Sequence, residues 1–223
     1  MARKKSIYYQ YSNQADNVIE NGKPYYTTIK GKWNEDYFKN KNPIVLELAC
    51  GKGEYTVGLA RLFPEKNFIG IDIKGDRIAR GSLDATRENL NNVAFLRAGI
   101  RFLDEFFDAN EVDEIWLVHP DPKVRQREEN QRLTNQAFLS YYAKYLKHNG
   151  IFHLKTDNPF LYEYSLSSLQ QASQYQVLEH TSDLYNSDYF SNHFGITTHY
   201  EKIFVEKGFS INYIKALIKK QTP

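Results

Sequence analysis

A single cysteine, Cys50, stands among 223 residues, so no disulfide can form within the chain. No apolar run approaches the roughly 18 residues that a membrane-crossing helix needs. The opening stretch MARKKSIYYQ has basic residues with no apolar segment behind them, so no secretory leader is expected and the chain reads as cytoplasmic. There is no internal repeat and no low-complexity tract. The six histidines show no ligand spacing, so no metal site is expected. An excess of one charge is missing too: 29 Lys+Arg face 27 Asp+Glu, and a net +2 does not by itself announce a nucleic-acid partner. What is present is the balance of a soluble globular chain, 41% hydrophobic and 25% charged, long enough for one domain with a substantial core.

Two regions differ in pattern. Residues 1–42 are polar and rich in aromatics (Tyr8, Tyr9, Tyr11, Tyr25, Tyr26, Trp33, Tyr37, Phe38) without a clear period, and read as an N-terminal extension. Residues 43–223 alternate short apolar runs with helical spacing. Strands are expected over 44–48, 67–73, 93–97, 112–119 and 151–156, and helices over 54–63, 76–90, 134–147 and 158–172, with a short helical piece around 102–107. Thr134 is the expected N-cap of its helix and Gly150 lies near its stop. Two further strands, 175–181 and 210–218, bracket a helical stretch near 200–206. Strands alternating with helices imply a largely parallel sheet covered on both faces. The expected fold is therefore an open, Rossmann-like α/β sheet of about seven strands, with ligands at the carboxyl ends of the strands.

Four elements carry the chemistry, three at strand ends and the fourth after the Gly195 turn. The first is Glu47-Leu48-Ala49-Cys50-Gly51-Lys52-Gly53, where two glycines let the backbone turn and approach a ligand closely. Asp72 ends the next strand, where a carboxylate typically accepts hydrogen bonds from ribose hydroxyls. Together they fit an adenosine-containing cofactor. The third glycine of a dinucleotide fingerprint is missing, and so is a phosphate-binding G-x-x-x-x-G-K-[ST] run. An acid within the turn suits a cationic ligand such as S-adenosylmethionine better than a pyrophosphate. A dinucleotide, or a turn with no ligand at all, stays open. The second site is His119-Pro120-Asp121-Pro122-Lys123-Val124-Arg125, where two prolines fix the direction of one carboxylate. It continues through Arg127 and Arg132, a basic loop suited to phosphates or simply solvated. The third is Lys155-Thr156-Asp157-Asn158, which could be only an N-cap. The fourth is Thr197-Thr198-His199-Tyr200-Glu201, in which Thr198 and Glu201 have capping-box spacing.

In this order and spacing the LELACGKG turn, the GIDIKG strand end, the aspartate-proline loop leading to Arg132-Leu133-Thr134, the LKTDN strand end and the THYE segment resemble the tRNA (guanine-N7-)-methyltransferase family, from about Pro43 to Lys219. The resemblance implies a class I methyltransferase fold, mostly parallel with an antiparallel last strand. It implies methyl transfer from S-adenosylmethionine to N7 of a guanine in tRNA, typically position 46 of the variable loop. No membrane and no obligatory protein partner are implied. By the same resemblance Glu47, Gly51, Gly53 and Asp72 bind the cofactor. Gly99 stands where an acid is usual, so that the backbone from Ala98 to Ile100 would contact adenine. Asp121 is the active-site aspartate. Arg125, Asp157, Thr198, His199, Tyr200 and Glu201 bind substrate, with Asp157 and Glu201 accepting hydrogen bonds from guanine N1–H and the exocyclic amine. The family's loop usually reads D-P-W-P-K-K-R-H; here Asp121-Pro122-Lys123-Val124-Arg125-Gln126-Arg127-Glu128 lacks the tryptophan and the second proline. Another RNA methyltransferase, or an RNA-binding module without turnover, is the alternative.

The small net charge also hides a division. Residues 1–41 carry net +4, residues 202–223 net +4, and residues 42–201 net −6. An acidic body suits a cationic methyl donor, and basic ends suit phosphates.

Overall fold

The structure, a computed structural model, describes residues 11–220. Arg3, Lys4, Lys5, Tyr8 and Tyr9 of the basic, aromatic opening lie outside them. The chain divides into two compact units, Met1–Glu111 and Val112–Pro223.

The first unit carries four parallel strands: β1 (Val18–Ile19), β2 (Ile44–Leu48), β3 (Asn67–Asp72) and β4 (Val93–Arg97). They lie in the order β1-β4-β3-β2. Every residue of β2 is buried, as expected for a strand covered on both faces. Helix α1 (Glu54–Leu62) follows the glycine turn and ends one residue before Phe63-Pro64, where proline cannot continue the ladder. Helix α2 (Gly75–Arg87) joins β3 to β4. One aromatic ring governs the packing between them. A β-carbon on Gly53, Gly70 or Gly81 would fall under 3.0 Å from the Phe95 ring, so three glycines exist where a single buried phenylalanine needs them.

Strand β1 is the departure from expectation. It pairs with β4 through Val18 and Ile19, in the stretch read as an extension, and makes the count among the described residues eight strands rather than about seven. Two residues are too few to show a period. Trp33 in the same stretch is fully buried, stacks on Phe107 at 5.4 Å between ring centroids, and donates its indole N–H to the Phe106 carbonyl at 2.9 Å.

The second unit carries β5 (Val112–Val118), β6 (Leu146–Thr156), β7 (Tyr175–Thr181) and β8 (Asn212–Ile218) in the order β5-β6-β8-β7. β5 and β6 are parallel, and the expected antiparallel last strand is β8, inserted between β6 and β7. Helices α3 (Gln136–Tyr145), α4 (Pro159–Gln171) and α5 (His199–Glu206) accompany them. The N-cap of α3 is Asn135, which accepts from the Phe138 N–H, and not Thr134, whose hydroxyl instead meets Ser165 at 2.6 Å. Gly150 ends no helix: β6 begins directly at Leu146 and runs through it, and a β-carbon there would crowd the Lys147 and Asp113 carbonyls at 3.0 and 3.1 Å. Among the described residues no helix is long and apolar enough to cross a membrane.

Trp33→Ala removes both the stacked ring and its hydrogen bond. It should cost about 3–5 kcal/mol in chemical denaturation; a loss below about 1 kcal/mol would show that the segment before β2 is not part of the core.

Candidate active site

In the first unit the turn after β2 is left-handed at Ala49, Gly51 and Gly53, with φ of 59°, 56° and 67°. The Gly51 side faces open space, since an added β-carbon would meet nothing within 4 Å. Gly53 is required instead by Phe95. The Gly51 N–H donates to one Asp72 oxygen at 3.0 Å and the Lys74 N–H to the other at 2.9 Å, so Asp72 ties the turn to the end of β3. A carboxylate has about four lone-pair sites, which leaves this half-buried one room for further donors. Glu47 is buried, and one of its oxygens accepts from both the backbone N–H (2.7 Å) and the hydroxyl of Thr56 in the first turn of α1. Burial raises its carboxyl to about 7, against the lowering effect of Thr56.

Next to Asp72, Ile73 begins the lining of a cavity of about 380 Å³, with Arg97, Ala98, Gly99, Phe102, Glu105, Tyr26 and Phe106. Ile73 is 63% exposed and Phe102 54%, an unusual pair of open apolar side chains around Gly99. Two apolar side chains in a partly polar cavity, beside an acid that can accept from hydroxyls, fit an adenosine group. Gly99 was expected here. Ile73 and Phe102 were not; the signal for Ile73 is an apolar residue directly after a strand-end acid, and Phe102 has none of that kind.

In the second unit Asp157, Glu201 and Thr198 come together through residues that had no assigned role. His119 ends β5 with φ of 48°, a left-handed conformation that costs a non-glycine residue on the order of 1 kcal/mol. Its Nδ1 lies 3.1 Å from Asp157 Oδ1, and its Nε2 lies 3.5 Å from Glu201 Oε2. Burial lowers the affinity of this imidazole for a proton, but Asp157 and Glu201 outweigh it and the net direction is up. Glu201 is itself completely buried. It receives the Lys155 ammonium at 2.8 Å, the Tyr185 hydroxyl at 3.0 Å and His193 Nε2 at 3.1 Å. Burial would raise its carboxyl, yet His119, His193 and Lys155 hold it far below the usual carboxylate range. Thr198 caps α5 and accepts from the Glu201 N–H at 3.2 Å. His199 and Tyr200 lie on the exposed side of that helix. Asp157 is not an N-cap: Asn158 fills that role for α4 and leaves Asp157, 21% exposed, as the accessible acid of the group.

Asp121 and Arg125 lie on the exposed loop after β5. Asp121 is 70% exposed and pairs with Lys123 at 2.9 Å, and that neighbour's hydrogen bond lowers its carboxyl. Arg132 holds the loop from inside. It is buried, donates to the Lys123 carbonyl at 3.0 Å and the Arg125 carbonyl at 3.4 Å, and lies over the Tyr164 and Phe160 rings at 4.4 and 4.8 Å. Among the described residues no group of three or more His, Cys, Asp or Glu is placed to hold a metal.

A family described as "Putative methyltransferase" matches residues 41–213. A tRNA (guanine-N(7)-)-methyltransferase of Cytophaga hutchinsonii is 43% identical over 96% of this chain and 97% of its own length. Proteins of the same name from Christiangramia forsetii and Porphyromonas gingivalis are 48% and 50% identical, over 92% and 83% of this chain and 88% and 75% of their own. Among solved structures, the 16S rRNA methyltransferase KamB superposes with a TM-score of 0.64 at 14% identity, over 83% of this chain and 92% of its own. An antibiotic-related methyltransferase does so at 0.61 and 18%, with the same coverage. These likenesses show the fold, that of class I methyltransferases.

Glu47 generates a prediction about pH. Its folded-state value of about 7 stands above the ordinary 4.5, so the stability it contributes is full below pH 4.5 and is lost as pH rises through about 7. The loss is on the order of 3 kcal/mol. Glu47→Gln keeps the acceptor for Thr56 and should flatten the stability curve in that window; an unchanged pH slope in denaturant titrations would contradict it.

Proposed function

The chain belongs to the tRNA (guanine-N(7)-)-methyltransferase family, and on that premise we propose that it transfers a methyl group from S-adenosylmethionine to N7 of a guanine in tRNA, at position 46 of the variable loop, as a cytoplasmic enzyme. The methyl donor, when bound, supplies an electrophilic carbon on a sulfonium. Asp72 and the Ile73–Gly99–Phe102 cavity would hold its adenosine, and Glu47, Gly51 and Gly53 would shape the turn beside it. Guanine N7 carries an in-plane lone pair and no proton at neutral pH, so no general base is needed. The N7–carbon bond forms as the carbon–sulfur bond breaks, and the sulfur keeps that electron pair. The work of the protein is alignment.

The observation that best supports this reading is Asp157, an accessible carboxylate held by His119 at the end of β5. Asp157 accepts hydrogen bonds from guanine N1–H and the 2-amino group; adenine has no proton on N1 and no amine at C2. Glu201, completely buried and fully engaged, acts as a positioning residue through His119 and Lys155 rather than touching the base. Asp121 orients the base or donor, and Arg125 meets RNA phosphate.

The Lys123–Asp121 pair also supports a second reading, an RNA-binding module whose aspartate is neutralised. Incubation with unmodified tRNA and labelled methyl donor, followed by mapping of 7-methylguanosine, separates the two, since no incorporation leaves only the second. Asp157→Ala should lower guanine methylation at least about a hundred-fold, the cost of two lost charge-assisted hydrogen bonds, with S-adenosylhomocysteine affinity unchanged. Wild-type transfer by that variant would remove Asp157 from the site.

A further inference from the structure

Helix α5 extends, beyond Tyr200 of the substrate segment, into an aromatic row whose later members have no assigned role. Tyr200 and Phe204, four residues apart, share one side of the helix, and Lys207 follows as its C-cap. The Tyr200 and Phe204 rings stack with centroids 6.5 Å apart. After Lys207 the chain turns through Gly208, at φ of 80°, in a helix stop where the Gly208 N–H meets the Val205 carbonyl at 2.9 Å and the Phe209 N–H meets the Phe204 carbonyl at 3.0 Å. This stop sets Phe209 edge-on to Phe204, centroids 6.4 Å apart. An apolar contact of this kind usually finishes a helix end, but here it stays open: Phe209 is 51% exposed and Tyr200 49%. The inner end of the row is the His119 ring, 5.8 Å from Phe204, and His119 holds Asp157.

Open aromatic rings in a row, with a lysine at the helix end, are the combination by which proteins hold unpaired nucleotides: rings stack on bases, which all have a π face, and the ammonium meets a phosphate. The face also begins the segment 202–223, whose net charge is +4. We propose that Phe204, Phe209 and Lys207 form a second nucleobase subsite, which takes the unstacked nucleotide flanking the target guanine. This rests on the proposed function and deepens it. A guanine in a folded RNA reaches Asp157 only after leaving its stack, and a platform next to His119 receives the neighbour exposed by that step. The occupant is RNA rather than an apolar protein face because Lys207 lies within the patch, where a buried protein contact would leave its charge without water.

The test uses the full chain and two unmodified tRNA transcripts, each with 2-aminopurine on one side of the target guanine. Binding to the parent should quench at least one probe. Phe209→Ala should abolish that quenching and raise KM for tRNA about ten-fold, as loss of one base–aromatic stack implies, with kcat and S-adenosylhomocysteine affinity kept. Phe209→Trp should restore both. Lys207→Gln should reduce the slope of log affinity against log salt by about 0.7, one phosphate contact on a single strand. Parent-like KM and quenching in Phe209→Ala would overturn the subsite. A change only in oligomeric mass, with RNA affinity kept, would assign the face to a second copy and overturn it equally. Quenching that depends on Phe209 without any methyl transfer by the parent would sink the proposed reaction and leave the subsite standing.

Discussion

The second unit depends on one buried ion pair. Lys155 and Glu201 are both completely buried and lie 2.8 Å apart. Taking two charges out of water costs several kcal/mol per ion, and the pair stands only because its other valences are filled. Tyr185 and His193 supply donors to Glu201, His119 approaches it, and the Ile196 carbonyl takes the Lys155 ammonium at 3.3 Å. Removing one partner would leave the other as an unpaired buried charge, a loss of about 3–5 kcal/mol. In this way β6, α5, the end of β5 and the segment around Tyr185 are bound to a single point, and Asp157 takes its direction from it through His119.

The two buried glutamates show how environment sets chemistry. Glu47 has only Thr56 as a donor and two acids, Glu54 and Asp72, nearby, so burial wins and its carboxyl rises to about 7. Glu201 is buried too, but three cation-forming side chains hold it ionised. One residue type thus holds its proton more tightly in one unit and stays ionised as a fixed anchor in the other. Near-neutral overall charge conceals this arrangement, because an acidic body and basic ends cancel in the total.

Local pattern carried most of the fold. The apolar run Ile44–Leu48, the glycine turn and the N-cap at Thr198 depend on neighbours in sequence and read directly. The eighth strand did not, because Val18–Ile19 borrows its stability from β4. Asn135 displaced Thr134 as a cap because Thr134 finds Ser165, 31 residues away. The site divided in the same way. Asp72 and Asp157 stood at strand ends where topology puts ligands, Glu201 in the first turn of a helix, and their types were legible. Their burial was not: Glu201 meets a lysine 46 residues distant, and Asp157 a histidine 38 residues distant. No local signal tells an acid that touches substrate from one that anchors it.

His119 couples the buried Glu201 to the accessible Asp157, with Nε2 toward the one and Nδ1 toward the other. NMR titration of His119 in the parent and in Glu201→Gln tests this coupling most directly. Loss of the anion beside Nε2 should lower the imidazole pKa, leaving Asp157 alone to oppose burial. An unchanged His119 titration in a folded Glu201→Gln protein would contradict the account, since Asp157 would then owe nothing to the buried pair.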